Sequence, residues 1–173
     1  MFSKKADFYG EINLENPEVI PGFGAIIDET EETYLKMMLG ARQYSEFLNS
    51  IFDKDSENYA KWCAFLFGGF SYEYDNFKIK FQGAIKSLNY FCFLALLNDS
   101  TFTAGTDLYK QVVTSGNRLE GLERENKLNS IHNRGIYYFR KAADYIANNE
   151  DFDFDTAYTC FPIKKSAFGG VRL

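Results

Sequence analysis

The stretch Phe70–Leu97, FSYEYDNFKIKFQGAIKSLNYFCFLALL, decides the fold, because its hydrophobic spacing changes from two to helical. Through FSYEYDNFKIKF, aromatic and polar residues alternate. That spacing predicts a short hairpin with Asp75-Asn76 in the turn and Tyr72/Tyr74 facing Phe77/Ile79. Asn suits such a turn because its short amide tolerates the left-handed conformation. From Gln82 to Leu97 the run is apolar almost all round: Ala84, Ile85, Leu88, Tyr90, Phe91, Cys92, Phe93, Leu94, Leu96 and Leu97. A helix with no polar face belongs at the centre of a bundle.

Upstream, Trp62, Cys63, Phe65 and Leu66, with Tyr59, predict a helix over 57–67 that Ser56 caps and Gly68-Gly69 ends. Tyr44, Phe47, Leu48 and Ile51 stand at i, i+3, i+4, i+7 and predict another over 41–52. Ile27, Leu35, Met38 and Leu39, with Tyr34 beside them, place a helix within 24–39, which Gly40 stops. Asp28, Glu29, Glu31 and Glu32 crowd its first turns, where acidic groups complement the helix dipole. Residues 1–23 are an irregular N-terminal arm interrupted by Pro17 and Pro21.

Downstream, residues 98–114 are a long Thr/Ser/Gly loop with a β-like stretch from Leu108 to Val113. The longest helix is expected over 117–149, with Asn126, Asn129 and Asn133 interrupting its apolar stripe as register-fixing amides between packed helices. Gly135 inside it implies a kink or a close contact. Residues 150–173 form a C-terminal arm in which Phe152, Phe154, Tyr158, Phe161, Ile163 and Phe168 recur without a helical period. Left free, that arm would be an aggregation hazard, so it either wraps over its own bundle or docks on a neighbouring subunit. The expected class is mainly α: a four- to five-helix bundle over 24–149, a hairpin insertion near 70–81, one long C-terminal helix and extended terminal arms.

The bulk numbers narrow the function. The chain has 173 residues, the length of one domain, and is 18% aromatic with 18 Phe, 12 Tyr and 1 Trp. So much aromatic surface must be buried or docked, which excludes disorder for most of the chain. A net charge of −5 argues against a grip on nucleic acid. The charge is uneven: residues 1–60 carry 5 basic and 12 acidic side chains, residues 61–150 carry 11 and 9. Cys63, Cys92 and Cys160 form no CxxC and read as reduced residues of a cytoplasmic protein. The start, MFSKKADFYGEINLE, lacks the apolar core of a signal peptide, and no apolar run approaches the ~20 residues that span a bilayer.

No catalytic constellation emerges. His132 is the only histidine, too few for a multi-histidine metal site. It would need Cys160 or a serine as partner for catalysis, and neither lies in a nucleophile motif, so it reads as a helix–helix or subunit contact. The acidic cluster at 28–32 comes without an ExxH motif and reads as a solvated helix start. Gly68-Gly69 and Gly169-Gly170 lack the spacing of a phosphate-binding loop. No cofactor, metal or catalytic residue is expected. Tyr137-Tyr138-Phe139 cannot all face one core, so one or more should meet a partner.

In this order, several elements resemble one family. IDETEETYLKMMLGARQYSEF (27–47), FGGFSYEYDNFKIKF, QGAIKSLNYFCFLALL, STFTAGTDLYKQVV and the helix ending YFRKAADYIANNEDFDF look like head–tail connector (adaptor) proteins of tailed bacteriophages, nearest the variant of Bacteroidetes-type phages. The likeness spans about residues 2–155; Ala104 departs from the usual Thr-x-Thr-Gly loop, and the tail after Asp155 has no counterpart. The resemblance implies a structural virion protein rather than an enzyme. It would be a dodecameric ring at the neck, below the portal, assembled in the host cytoplasm, that lengthens the DNA channel and docks the tail. Partners would be further copies, the portal and tail or neck rings, with DNA passing unbound and no membrane involved. A weakly repulsive acidic lining would let DNA slide. The subunit or portal interface is expected at Tyr137, Tyr138, Phe152, Phe154, Tyr158, Phe161, Pro162, Phe168 and Arg172. Alternatives are a tail-completion or stopper ring of the same neck, a small helical enzyme using His132, and a host-directed effector.

Overall fold

The computed structural model describes residues 2–12, 22–74, 76–98 and 121–152. Four helices stand among them: α1 (Phe23–Ile51), α2 (Tyr59–Phe67), α3 (Ala84–Asn98) and α4 (Gly121–Ala147). A two-stranded antiparallel hairpin, β1 (Phe70–Tyr74) and β2 (Phe77–Phe81), is inserted between α2 and α3. The fold is mainly α with a β-hairpin, as the spacing predicts. The loop at 99–114 and the tail beyond Phe152 lie outside the described residues.

α3 is the hub. It packs against α1, α2 and α4, and Leu88, Tyr90, Phe91, Cys92, Phe93 and Leu96 are all buried. Its flanks feed two apolar clusters. One joins Leu35, Phe47, Trp62, Phe65, Leu88, Phe91, Phe139 and Tyr145; the other joins Phe8, Ile12, Phe23, Ile27, Cys92, Phe93, Leu96 and Ile131. Tyr34 of α1 stacks on Phe91, with ring centroids 3.8 Å apart.

α1 is broken at Gly40, whose φ of 71° and ψ of 164° leave the helical region in mid-element. That conformation is essentially restricted to glycine, so the expected stop at Gly40 is present as a break between two helical halves. The hairpin register is the expected one: Tyr72 pairs with Ile79 and Tyr74 with Phe77. Asn76 takes the left-handed turn position at φ 64°.

Three local readings need correction. Ser56 does not cap α2; the helix begins at Tyr59 behind Asn58, and Ser56 Oγ accepts the Asn58 N–H within the preceding turn at 3.4 Å. Asn126 and Asn133 are exposed rather than set between helices, and Asn129 is only half-buried. Leu48 points outward while Gln43 takes a buried position on α1.

Residues 2–12 lie against the bundle with short 3-10 turns at Lys5–Asp7 and Gly10–Ile12. Phe8 and Ile12 are core residues of the second cluster, each contributing about 1.5–3 kcal/mol of burial. Gly135 makes the close contact that its place in α4 implies. Its carbonyl accepts the Ser87 hydroxyl at 3.2 Å, and a β-carbon there would stand 3.0 Å from Phe91.

Candidate functional site

Packing leaves Tyr137 of α4 and Tyr9 of the N-terminal segment exposed, joined by contacts that run through the bundle. α4 turns Phe139 inward, fully buried, so its neighbours Tyr137 and Tyr138 must face away from that core. Tyr137 is 53% exposed; Tyr138 is half-buried and stacks on Tyr90 of α3 at 5.6 Å. Tyr137 meets Tyr138 edge-on at 5.2 Å. Lys141, one helical turn on, holds its ammonium 4.8 Å from the Tyr137 ring.

The N-terminal segment extends this run. Lys86 Nζ lies 5.7 Å from the Tyr90 ring and 5.3 Å from that of Tyr9, which is 63% exposed. The series Tyr9, Lys86, Tyr90, Tyr138, Tyr137, Lys141 is therefore a ribbon of ring and amine contacts, exposed at Tyr9 and Tyr137 and buried at Tyr90 in its middle. Such a ribbon offers flat apolar contact together with positive charge, chemistry suited to a protein surface bearing carboxylates and aromatic groups.

Tyr9 is held there by an anchor that the acidic cluster conceals. α1 begins at Phe23, so the four acidic residues lie in its second and third turns, not its first. Asp28, Glu29 and Glu32 are exposed, and Glu32 pairs with Lys36. Glu31 is the exception, only 2% exposed. Its carboxylate accepts the backbone N–H groups of Phe2 at 2.7 Å and Ser3 at 2.5 Å. Reading all four as a solvated helix start missed this, because the partners lie 28 and 29 residues away. A carboxylate on the buried stripe of α1 was the available signal, since such a group requires a donor.

The expected interface residues divide. Tyr137 and Tyr138 are brought together on the ribbon. Phe152, expected to reach a neighbour, is buried in its own chain. Its ring meets Trp62 at 5.3 Å, Tyr145 at 5.9 Å and Phe65 at 6.0 Å. Lys61 closes over it, with Nζ 5.2 Å from the Phe152 ring, 4.6 Å from Trp62 and 2.8 Å from the Glu46 carboxylate. Phe154, Tyr158, Phe161, Pro162, Phe168 and Arg172 lie outside the described residues. Tyr9, Lys86 and Lys141 were not singled out by spacing, because the ribbon depends on elements distant in sequence.

Burial favours the neutral forms of two ionisable groups, Cys92 and His132. Burial, with Glu31 nearby, pushes the Cys92 thiol well above its ordinary range and keeps it protonated. Desolvation lowers the pKa of His132, which lies against the edge of Phe91 at 6.3 Å. Among the described residues no three His, Cys, Asp or Glu side chains group to hold a metal ion. No described helix is long and apolar enough to cross a membrane. Comparison of the chain with protein-family models, curated proteins and solved structures finds no match.

Proposed function

We propose that this protein is a structural subunit of a tailed-phage virion, a head–tail connector that assembles as a ring below the portal and receives the tail. It works by contact rather than catalysis. The observation that carries the reading is the ring-and-amine ribbon from Tyr9 to Lys141, whose Tyr9 and Tyr137 rings are exposed on either side of the buried Tyr90. Tyrosine is enriched at surfaces that become interfaces, and Tyr9 and Tyr137 are both exposed. The resemblance of the element order to connector proteins supports the same reading, and supplies the portal and the tail as partners.

The test uses the purified full chain, alone and mixed with the portal protein of the same phage. Light scattering and electron microscopy should show rings or portal-bound rings. Tyr137→Ser combined with Lys141→Glu should abolish them while far-ultraviolet circular dichroism stays unchanged. A chain that remains monomeric and ignores the portal at every concentration would falsify the reading.

A further inference from the structure

The half of α1 that follows the Gly40 break turns an apolar stripe outward. Gln43, Phe47, Ser50 and Ile51 form its buried side. On the opposite side Ala41, Ser45, Leu48 and Phe52, at helical spacing, are all exposed. Phe52 is the most exposed large apolar side chain among the described residues, at 71%. Its ring is nonetheless held: it stacks on Phe2 at 5.6 Å with an interplanar angle of 11°, and Phe2 in turn meets Phe47 at 5.4 Å. An exposed ring already held in place loses little side-chain freedom when a partner covers it.

The stripe is complementary to itself when reversed. About a two-fold axis midway between Glu46 and Phe47, Ala41 comes opposite Phe52 of a second copy, and Ser45 comes opposite its Leu48. Each large side chain then meets a small one, the alternation that lets two helices interdigitate. The charges obey the same operation. Arg42 and Asp53 are both exposed, and about three helical turns separate them, so they share one flank at opposite ends of the stripe. The reversal sets Arg42 of each copy beside Asp53 of the other. Glu46, the only carboxylate between them in sequence, is held by Lys61 at 2.8 Å. A parallel pairing in register would set Arg42 against Arg42 and Phe52 against Phe52, so the complementarity selects the antiparallel direction.

We infer that two copies of this chain pair through the 41–52 stripe, antiparallel about a two-fold axis. The contact closes at two copies and uses none of the residues of the Tyr9–Lys141 ribbon, so it does not rest on the connector reading. One short helical stripe from each copy is at the small end of specific interfaces. A reversible dimer is therefore expected, with a dissociation constant on the order of 10 µM.

The experiment is sedimentation velocity of the full chain across a micromolar to submillimolar concentration series, which should show a monomer–dimer equilibrium. Arg42→Glu or Asp53→Arg alone should weaken it about tenfold, and the two together in one chain should restore it. Within a chain these side chains stand about 16 Å apart along the helix, so restoration reports pairing between copies. Should the Arg42 variants fail to fold, the size exchange serves: Ser45→Leu and Leu48→Ser should each weaken the dimer, and the double variant should recover it. Tyr137→Ser with Lys141→Glu should leave it unchanged. A chain monomeric at every concentration overturns the proposal. A dimer lost in the ribbon variant but indifferent to the stripe variants overturns it in favour of another face. Weakening by the single changes that neither double variant restores overturns it in favour of a different occupant of the stripe.

Discussion

Gly68 and Gly83 face one another backbone to backbone, where the chain enters and leaves the hairpin. A β-carbon on Gly68 would overlap the Gly83 amide nitrogen and stand 2.6 Å from the Gln82 carbonyl carbon. One on Gly83 would overlap the Leu66 carbonyl oxygen and stand 2.5 Å from the Phe67 carbonyl carbon. The Gly69 N–H donates to the Phe81 carbonyl at 2.9 Å beside this crossing and closes the loop. Gly68→Ala should therefore cost ~3 kcal/mol or more, since backbone must move to admit the methyl. Gly69→Ala meets no atom within 4 Å and should cost only the ~1 kcal/mol of its left-handed conformation. Urea melts of the two variants would show the contrast.

Gly135→Ala sets two opposed effects against each other. Alanine favours a helix over glycine by about 1 kcal/mol. The added methyl would lie 3.0 Å from the Phe91 ring and 3.2 Å from the Tyr90 β-carbon. Phe91 cannot retreat, because Tyr34 is stacked on its face. Overpacking of ~2 kcal/mol should win, leaving a net loss of ~1 kcal/mol. A thermal midpoint above that of the parent protein would refute the packing argument.

Glu31→Gln keeps the size of the side chain and removes its charge. One amide oxygen must then serve two N–H donors, and the amide's own hydrogens find a site built for an acceptor. A loss of ~2–3 kcal/mol is expected, with faster amide exchange confined at first to residues 2–12. Uniform loosening of the whole bundle would show instead that Glu31 supports α1 itself.

The pH response should carry a component from His132. Burial disfavours its charged form, so the folded chain binds the proton less readily than the unfolded one. Stability from this source is present above the unfolded pKa of about 6.5 and is lost as pH falls through the lower folded value. Urea denaturation at stepped pH between 7.5 and 5 should show the decline, and His132→Gln should flatten it. An unchanged slope in the variant would assign the decline to other groups.

The hairpin and the central helix were legible because both depend on local spacing. Tyr72 and Tyr74 alternate with polar neighbours, and the run from Leu88 to Phe93 has no polar face to misplace. The close approach at Gly135 was legible too, since a glycine in a long helix needs a reason to be there. Contacts across long sequence separations were not. Glu31 reads as solvated until Phe2 and Ser3 are folded onto it, and Ser56 reads as a cap until the turn before α2 claims its hydroxyl. Phe152 could equally have left the molecule; only the pocket of Trp62, Phe65 and Tyr145, drawn from two helices, decides that it stays. The Tyr137–Tyr138 pair was visible as surplus aromatic surface, but Tyr9 and Lys86 join it only through the tertiary fold.

The clasp around Phe152 has an optical consequence. Trp62 is the only tryptophan of the chain, fully buried, with rings of Phe47, Phe65 and Phe152 edge-on or tilted around it and no hydrogen-bond acceptor on its indole nitrogen among the described residues. One wall of that enclosure is the last described residue, which follows all four described helices in the chain. Indole emission should therefore sit at short wavelength only once Phe152 is seated. The protein carries a built-in fluorescent reporter of whether Phe152 is seated in its core.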